Sequence, residues 1–131
     1  MPPKRKRTLY LVEDDPLWGA LFEEHLPKET WGYVWCKTTE EATDRLSEAA
    51  NGDRLVLDMA FAVDRFKGLE VISWIRSNKI YLLGAMVIFT CFDDMETREK
   101  LKPLQLQRLT IMVKTKGVDA VLEHLGIVDK P

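Results

Sequence analysis

The eight residues LYLVEDDP, at positions 9–16, decide the fold of this chain. An apolar run of four residues is typical of a buried strand, three carboxylates follow its end, and a proline then stands where a helix should begin. Asp15 is positioned to be the N-cap of that helix, which leaves the carboxylates of Glu13 and Asp14 for another role. The stretch therefore predicts a strand, an acidic loop and a helix, the first βα unit of an α/β protein.

Three further apolar runs also end on a reactive side chain. They are LVLD at 55–58, VIFT at 87–90 and IMVK at 111–114. Parallel strands bring their C-terminal ends to one edge of a sheet, and open α/β sheets bind ligands at that edge. The reactive side chains that follow the four runs should therefore converge there. They are Glu13, Asp14, Asp58, Thr90 and Lys114.

Segments of helical periodicity separate these runs, and a further strand is predicted at 31–37. The 131 residues, 46% of them hydrophobic, are enough for one domain with one core. Five βα units with right-handed crossovers predict an α/β fold, a three-layer doubly wound sheet of five parallel strands. The flavodoxin-like strand order 2-1-3-4-5 is expected. We divide the chain into a flexible basic tail (1–7), the domain (8–128) and a C-terminal tail (129–131).

Several boundaries follow from capping and turn residues. Thr38 and Glu41 predict a capping box for the second helix, whose apolar stripe extends to Ala49 and Ala50 before a turn at 51–52. Gly84 is expected to introduce the fourth strand, at 85–90. The fifth strand is predicted at 109–113, and Pro103 should end the helix before it.

Charge and cysteine content exclude several classes of function. The 19 basic residues nearly balance the 21 acidic ones, so nucleic-acid binding is not expected of the domain. The exception is the basic run at 4–7, which we interpret as a frayed, dispensable terminus rather than a nucleic-acid patch. Cys36 and Cys91 have no metal-binding spacing, which favours reduced thiols. Because neither a membrane span nor a secretory signal is visible, we expect a cytoplasmic protein.

The predicted edge has its own chemistry. Crowded carboxylates repel one another unless a cation is bound, and hard oxygen ligands favour Mg²⁺ or Mn²⁺. Lys114 adds a second positive charge. A carboxylate such as Asp58 can attack phosphorus as a nucleophile, while the metal and the lysine neutralise charge on the phosphoryl group. Thr90 could then hydrogen-bond a phosphoryl oxygen.

These four motifs, in this order, resemble those of the receiver domains of two-component response regulators (the CheY-like superfamily), over about residues 8–128. The resemblance implies that a sensor histidine kinase or a phosphotransfer protein phosphorylates Asp58. It also implies that Mg²⁺ (or Mn²⁺) is held by the carboxylates of Glu13, Asp14 and Asp58 and the main-chain carbonyl of Ala60. Thr90 and Lys114 are implied to contact the phosphate, and Lys114 should find this partner only on activation. Such a domain is a signalling protein rather than an enzyme.

The sequence also departs from the family pattern. The loop after Asp58, up to Gly68, is about two residues longer than usual, Thr115 replaces the usual proline, and Ile111 stands where an aromatic switch residue is common. We therefore expect a monomer or weak dimer that acts on an unknown downstream protein. A receiver-like interaction module that is not phosphorylated remains an alternative. A Mg²⁺-dependent phosphohydrolase is less favoured, because Ala60 stands where such an enzyme needs a second aspartate as general acid and base.

Overall fold

The computed structural model describes residues 5–61, 64–91, 93–104 and 110–129. Within these ranges strands and α-helices alternate. The strands are β1 (Arg7–Val12), β2 (Trp31–Cys36), β3 (Arg54–Leu57), β4 (Met86–Thr90) and β5 (Ile111–Val113). The helices are α1 (Pro16–His25), α2 (Thr39–Leu46), α3 (Leu69–Asn78), α4 (Met95–Leu101) and α5 (Gly117–His124). Short 3₁₀ helices at Ile80–Ala85, Lys102–Leu104 and Lys114–Lys116 complete the described elements.

The strands form one parallel sheet in the order β2-β1-β3-β4-β5, which confirms the predicted fold class and strand order. Side chains of a strand alternate between the faces of the sheet, and β1 shows this clearly. Leu9 and Leu11 face a core cluster shared with Phe22 of α1 and with α5. Tyr10 and Val12 face the other cluster, to which α2 and α3 contribute. Helices therefore cover both faces of the sheet.

The helix caps form largely as predicted. Asp15 is the N-cap of α1 and accepts a hydrogen bond from Leu17 N at 2.9 Å. Thr38 is the N-cap of α2 and accepts from Glu41 N at 3.0 Å, while the Glu41 carboxylate accepts from Lys37 N. In a standard capping box the glutamate accepts from the N–H of the N-cap residue, whereas here Glu41 accepts from the residue before it.

Three predicted boundaries are wrong by a few residues. Helix α2 ends at Leu46, so Ala49 is buried beyond the helix and not on its stripe. Gly84 lies inside a 3₁₀ helix, and β4 begins only at Met86. Lys37 follows β2, which ends at Cys36. Local pattern does not define these ends, because short 3₁₀ and turn segments can bury the same apolar residues. The predicted start of β5 at Leu109 lies outside the described residues.

The expectation of a frayed tail through Arg7 is wrong for its last residues. Arg7 begins β1 and pairs in register with Trp31, with its guanidinium 4.7 Å from the ring centroid of that tryptophan. Arg5 donates two hydrogen bonds of 2.9 Å to the carboxylate of Asp53, which is buried. Asp53 also accepts from the backbone N–H groups of Thr8 and Ala50. A buried carboxylate thus holds Arg5 and the start of β1 in place.

Candidate functional site

Strand register brings the predicted side chains to one edge of the sheet. Val12 pairs with Leu57 between β1 and β3, so Glu13 and Asp58 both follow the aligned ends of neighbouring strands. The backbone confirms the alignment, because Asp58 N donates to Val12 O at 2.9 Å. On the other side, Thr90 of β4 pairs with Val113 of β5, directly before Lys114.

Three carboxylates meet at this edge, from Glu13, Asp14 and Asp58. Their ligand oxygens, one from each residue, all lie within 4.8 Å of one another. Glu13 and Asp58 are buried, whereas Asp14 is exposed. Backbone N–H groups orient the two buried carboxylates, since Asp15 N donates to Glu13 Oε1 and Ala60 N donates to Asp58 Oδ1. We call these three carboxylates the acidic cluster.

Lys114 enters the same site from the end of β5. Its Nζ lies 2.9 Å from Glu13 Oε2 and 3.1 Å from Asp58 Oδ2, and its side chain is only 10% exposed. The expectation that Lys114 has no partner before activation is therefore wrong, while its contact with a phosphoryl group remains a prediction. The reason is electrostatic, because an ammonium placed beside two buried carboxylates pairs with them whether or not a phosphoryl group is present.

The charges of the site shift the pKa values of its groups. Burial, together with the negative charge of Asp58, raises the pKa of Glu13 to about 8, although Lys114 acts in the opposite direction. Burial lowers the pKa of Lys114, but the contacts with Glu13 and Asp58 outweigh it, so the net shift is upward. The lysine is thus held in its charged form, while Glu13 can take up a proton near neutral pH.

A divalent cation fits this donor set. Three carboxylates and one ammonium leave an excess of negative charge when all are ionised, and carboxylate oxygens are the ligands that Mg²⁺ and Mn²⁺ prefer. Glu13 Oε2 is buried and accepts no hydrogen bond of good geometry from the described residues. It lies 2.9 Å from the Lys114 ammonium, with which a metal would compete for this oxygen. The ligand chemistry therefore agrees with the expectation from the sequence.

Thr90 and Ala60 complete the set of residues singled out in the sequence. Thr90 is the last residue of β4 and is buried at the same edge of the sheet, and Cys91 beside it is exposed. Ala60 contacts Asp58 through its backbone N–H, at 3.2 Å from Oδ1. The predicted metal contact through its main-chain carbonyl remains a prediction.

The loop after Asp58 returns closely to the backbone of the site. Gly68 N donates to Met59 O at 2.8 Å, and a Cβ on Gly68 would lie 2.6 Å from Asp58 O. Only glycine fits there, because any side chain would displace the backbone that carries Asp58. Within the loop, Phe61 and Asp64 exchange two backbone hydrogen bonds.

Sequence reasoning missed two side chains around this edge. Arg65 of the loop after β3 pairs with Asp94, the N-cap of α4, and with Glu96. Trp18 of α1 has its ring centroid 5.5 Å from Lys114 Nζ. The periodicity of α1 places Trp18 on an apolar face, but no local pattern indicates that it contacts the lysine after β5.

Of the comparisons with known proteins, the one with solved structures supports the fold. No protein-family model and no curated protein sequence matches this chain. Among solved structures, the receiver domain of a Francisella response regulator is similar, with 16% identity, a TM-score of 0.70 and coverage of 93% of this chain and 95% of that one.

Two of the similar structures contain a metal. The Mn²⁺-bound form of the response regulator Rcp1 has 14% identity and a TM-score of 0.65, covering 95% of this chain and 97% of that one. The response regulator TrrA from Thermotoga maritima, in complex with Mg²⁺ and BeF, has 23% identity and a TM-score of 0.60, covering 81% and 86%. Among the described residues of our chain, no helix is long and apolar enough to cross a lipid bilayer. The three similar structures and the strand order of the sheet show that the chain has the fold of response-regulator receiver domains.

Proposed function

We propose that this chain is a phosphorylation-dependent signalling domain, in which Asp58 accepts a phosphoryl group from a sensor histidine kinase or a phosphotransfer protein in the cytoplasm. One observation carries the proposal. Glu13, Asp14, Asp58 and Lys114 meet at the C-terminal edge of a sheet with receiver topology. That edge combines a carboxylate nucleophile with positive charge for the transferred group.

Asp58 performs the chemical step in this proposal. One of its carboxylate oxygens attacks phosphorus of the donor's phosphohistidine, the P–N bond breaks, and an acyl phosphate forms on Asp58 while the imidazole leaves. The hydrogen bond from Ala60 N holds the carboxylate in one orientation during the attack. The acidic cluster and the main-chain carbonyl of Ala60 would hold a divalent cation, which would neutralise negative charge on the transferred group.

Lys114 and Thr90 act on the product. The Lys114 ammonium, which lies 3.1 Å from Asp58 Oδ2, exchanges a carboxylate partner for a phosphoryl oxygen of the same residue. The Thr90 hydroxyl donates to another phosphoryl oxygen and draws the loop between β4 and α4 toward the site. Arg65 joins that region to the loop after β3 through Asp94 and Glu96, so both loops respond together. A downstream protein that binds this altered surface receives the signal.

A second candidate is a receiver-like interaction module that is never phosphorylated. It is favoured by the ion pairs of Lys114, which already compensate part of the carboxylate charge without a metal. The two candidates differ in their response to a phosphodonor, and one experiment separates them.

The experiment is incubation of the purified protein with acetyl phosphate and Mg²⁺, followed by intact-mass measurement. We expect the mass of one phosphoryl group to be added to the wild-type protein, and no addition to Asp58→Asn or in EDTA. Asp44→Asn, on the exposed face of α2, is the matched control and should label like the wild type. Unlabelled wild-type protein that still binds Mg²⁺ would support the interaction module instead.

A further inference from the structure

Trp18 packs directly beside the charged group of the candidate site. Lys114 Nζ lies 5.5 Å from the centroid of its ring, within the range at which an aromatic face attracts a cation. The two carboxylates that pair with the same ammonium, from Glu13 and Asp58, lie 2.9 Å and 3.1 Å from it. Lys114 is therefore held by anionic oxygens and by an aromatic ring at once.

The position of the Trp18 ring is fixed from the core side. It makes an edge-to-face contact with Phe89, with ring centroids 5.1 Å apart, and Phe89 makes a second one with Phe22 at 5.7 Å. Phe89 directly precedes Thr90 on β4 and is fully buried. The ring is thus tied to the strand that carries Thr90 and cannot simply follow a movement of the lysine.

The carboxylates that pair with Lys114 are also the ligands to which a metal would bind. When a divalent cation binds Glu13 and Asp58, its charge repels the ammonium and weakens both ion pairs. The attraction of the ring does not depend on those carboxylates. We propose that Trp18 is a positioning residue that keeps the Lys114 ammonium at the site after metal binding, where it can meet a phosphoryl oxygen. This inference rests on the proposed function.

The competing explanation is that Trp18 is ordinary core packing. Replacements at this position separate the two, because Phe retains a weaker aromatic face whereas Leu retains only apolar bulk. Trp74→Phe, on α3 and packed against the other core cluster, is a matched control. If Trp18 only packs, Trp18→Phe and Trp18→Leu should weaken beryllofluoride binding to a similar extent. If Trp18 positions the ammonium, Trp18→Leu should weaken it more than Trp18→Phe.

The first measurement follows the Lys114 Hε protons by NMR, since a proton above an indole ring has a shifted resonance. We expect the ring-current shift in the wild type and in Trp74→Phe, persistence of the shift on saturation with Mg²⁺, and its loss in Trp18→Leu. A shift that disappears on addition of Mg²⁺ to the wild type would overturn the inference. A wild type that fails to bind Mg²⁺ would instead count against the proposed function.

The second measurement is beryllofluoride affinity in the presence of Mg²⁺. Trp18→Leu should weaken it by about three- to tenfold, and Trp18→Phe by less, as expected for loss of one partly buried cation–π contact. In a Lys114→Met background, Trp18→Leu should have no further effect, because the group on which it acts has been removed. Additive losses in the double variant would show that Trp18 acts through packing alone.

Discussion

The Lys114 ammonium lies 2.9 Å from Glu13 Oε2, so the lysine that follows β5 is already paired across the sheet edge with the acidic loop after β1. A cation that binds this carboxylate must compete with the lysine. Metal affinity and the charge of residue 114 are therefore linked in this protein.

Lys114→Met should raise Mg²⁺ affinity, by about three- to tenfold at low ionic strength, because it removes a competing positive charge from two buried carboxylates. The same change should weaken binding of beryllofluoride, whose fluorines lose their ammonium partner. Isothermal titration of both ligands tests the pair of effects, with exposed Lys116→Met as the control. Equal weakening of both ligands would indicate that Lys114 only supports the fold.

Glu13 should make metal-free stability depend on pH. Its pKa is about 8 in the folded protein, against an ordinary value of 4.5, so the folded state binds the proton more tightly. This contribution is fully present below pH 4.5 and is lost as the pH rises through 8. The melting temperature of the metal-free protein should fall between pH 5 and about 9, and Glu13→Gln should make this fall smaller. Saturating Mg²⁺ should remove the decline, since the metal replaces the proton. A rise in metal-free stability over this range would contradict the assignment.

Arg5 should stabilise the fold through Asp53, although the sequence indicates a dispensable tail. Arg5→Ala leaves a buried carboxylate with backbone donors but without its countercharge, and we expect a loss of about 1–3 kcal/mol in the free energy of unfolding. Deletion of residues 1–7 should cost at least as much. Urea denaturation measures both, and Lys6→Ala, whose ammonium donates to the exposed backbone carbonyl of Lys28, should be nearly neutral. An unchanged midpoint for Arg5→Ala would show that the ion pair contributes nothing.

Phosphorylation should cause little dimerisation through the face formed by α4, β5 and α5. Ile111 is partly buried against the core, and its β-branched side chain lacks the area and the rotamer freedom of an aromatic switch residue. Asp119 of α5 pairs with His25 of α1 within the chain, at 2.9 Å. Light scattering coupled to size exclusion, with and without beryllofluoride, should report a monomer in both states. A beryllofluoride-dependent dimer that Asp119→Lys prevents would contradict this prediction.

The sequence predicted those parts of the site that depend on strand ends. The apolar runs that precede Glu13, Asp58 and Lys114 were sufficient to predict that these side chains meet. The reason is that parallel strands in one register must place their C-terminal ends together. Asp15 and Thr38 were also predictable, since a helix cap is a local interaction.

The remaining features depend on pairs that are distant in sequence. Arg5 and Asp53 are 48 residues apart, and the sequence around each of them does not predict that the two side chains pair. The contact of Trp18 with Lys114 likewise requires α1 and β5 to be packed first. Such pairs follow from tertiary packing and not from periodicity or capping.

The most direct test of the central claim is to locate the phosphoryl group itself. Borohydride reduces an aspartyl phosphate to homoserine, so protein treated with acetyl phosphate and Mg²⁺ can be reduced, digested and sequenced by mass spectrometry. We expect homoserine at position 58, dependent on both the donor and the metal. Homoserine at another aspartate, or labelling that persists in EDTA or in Asp58→Asn, would contradict it.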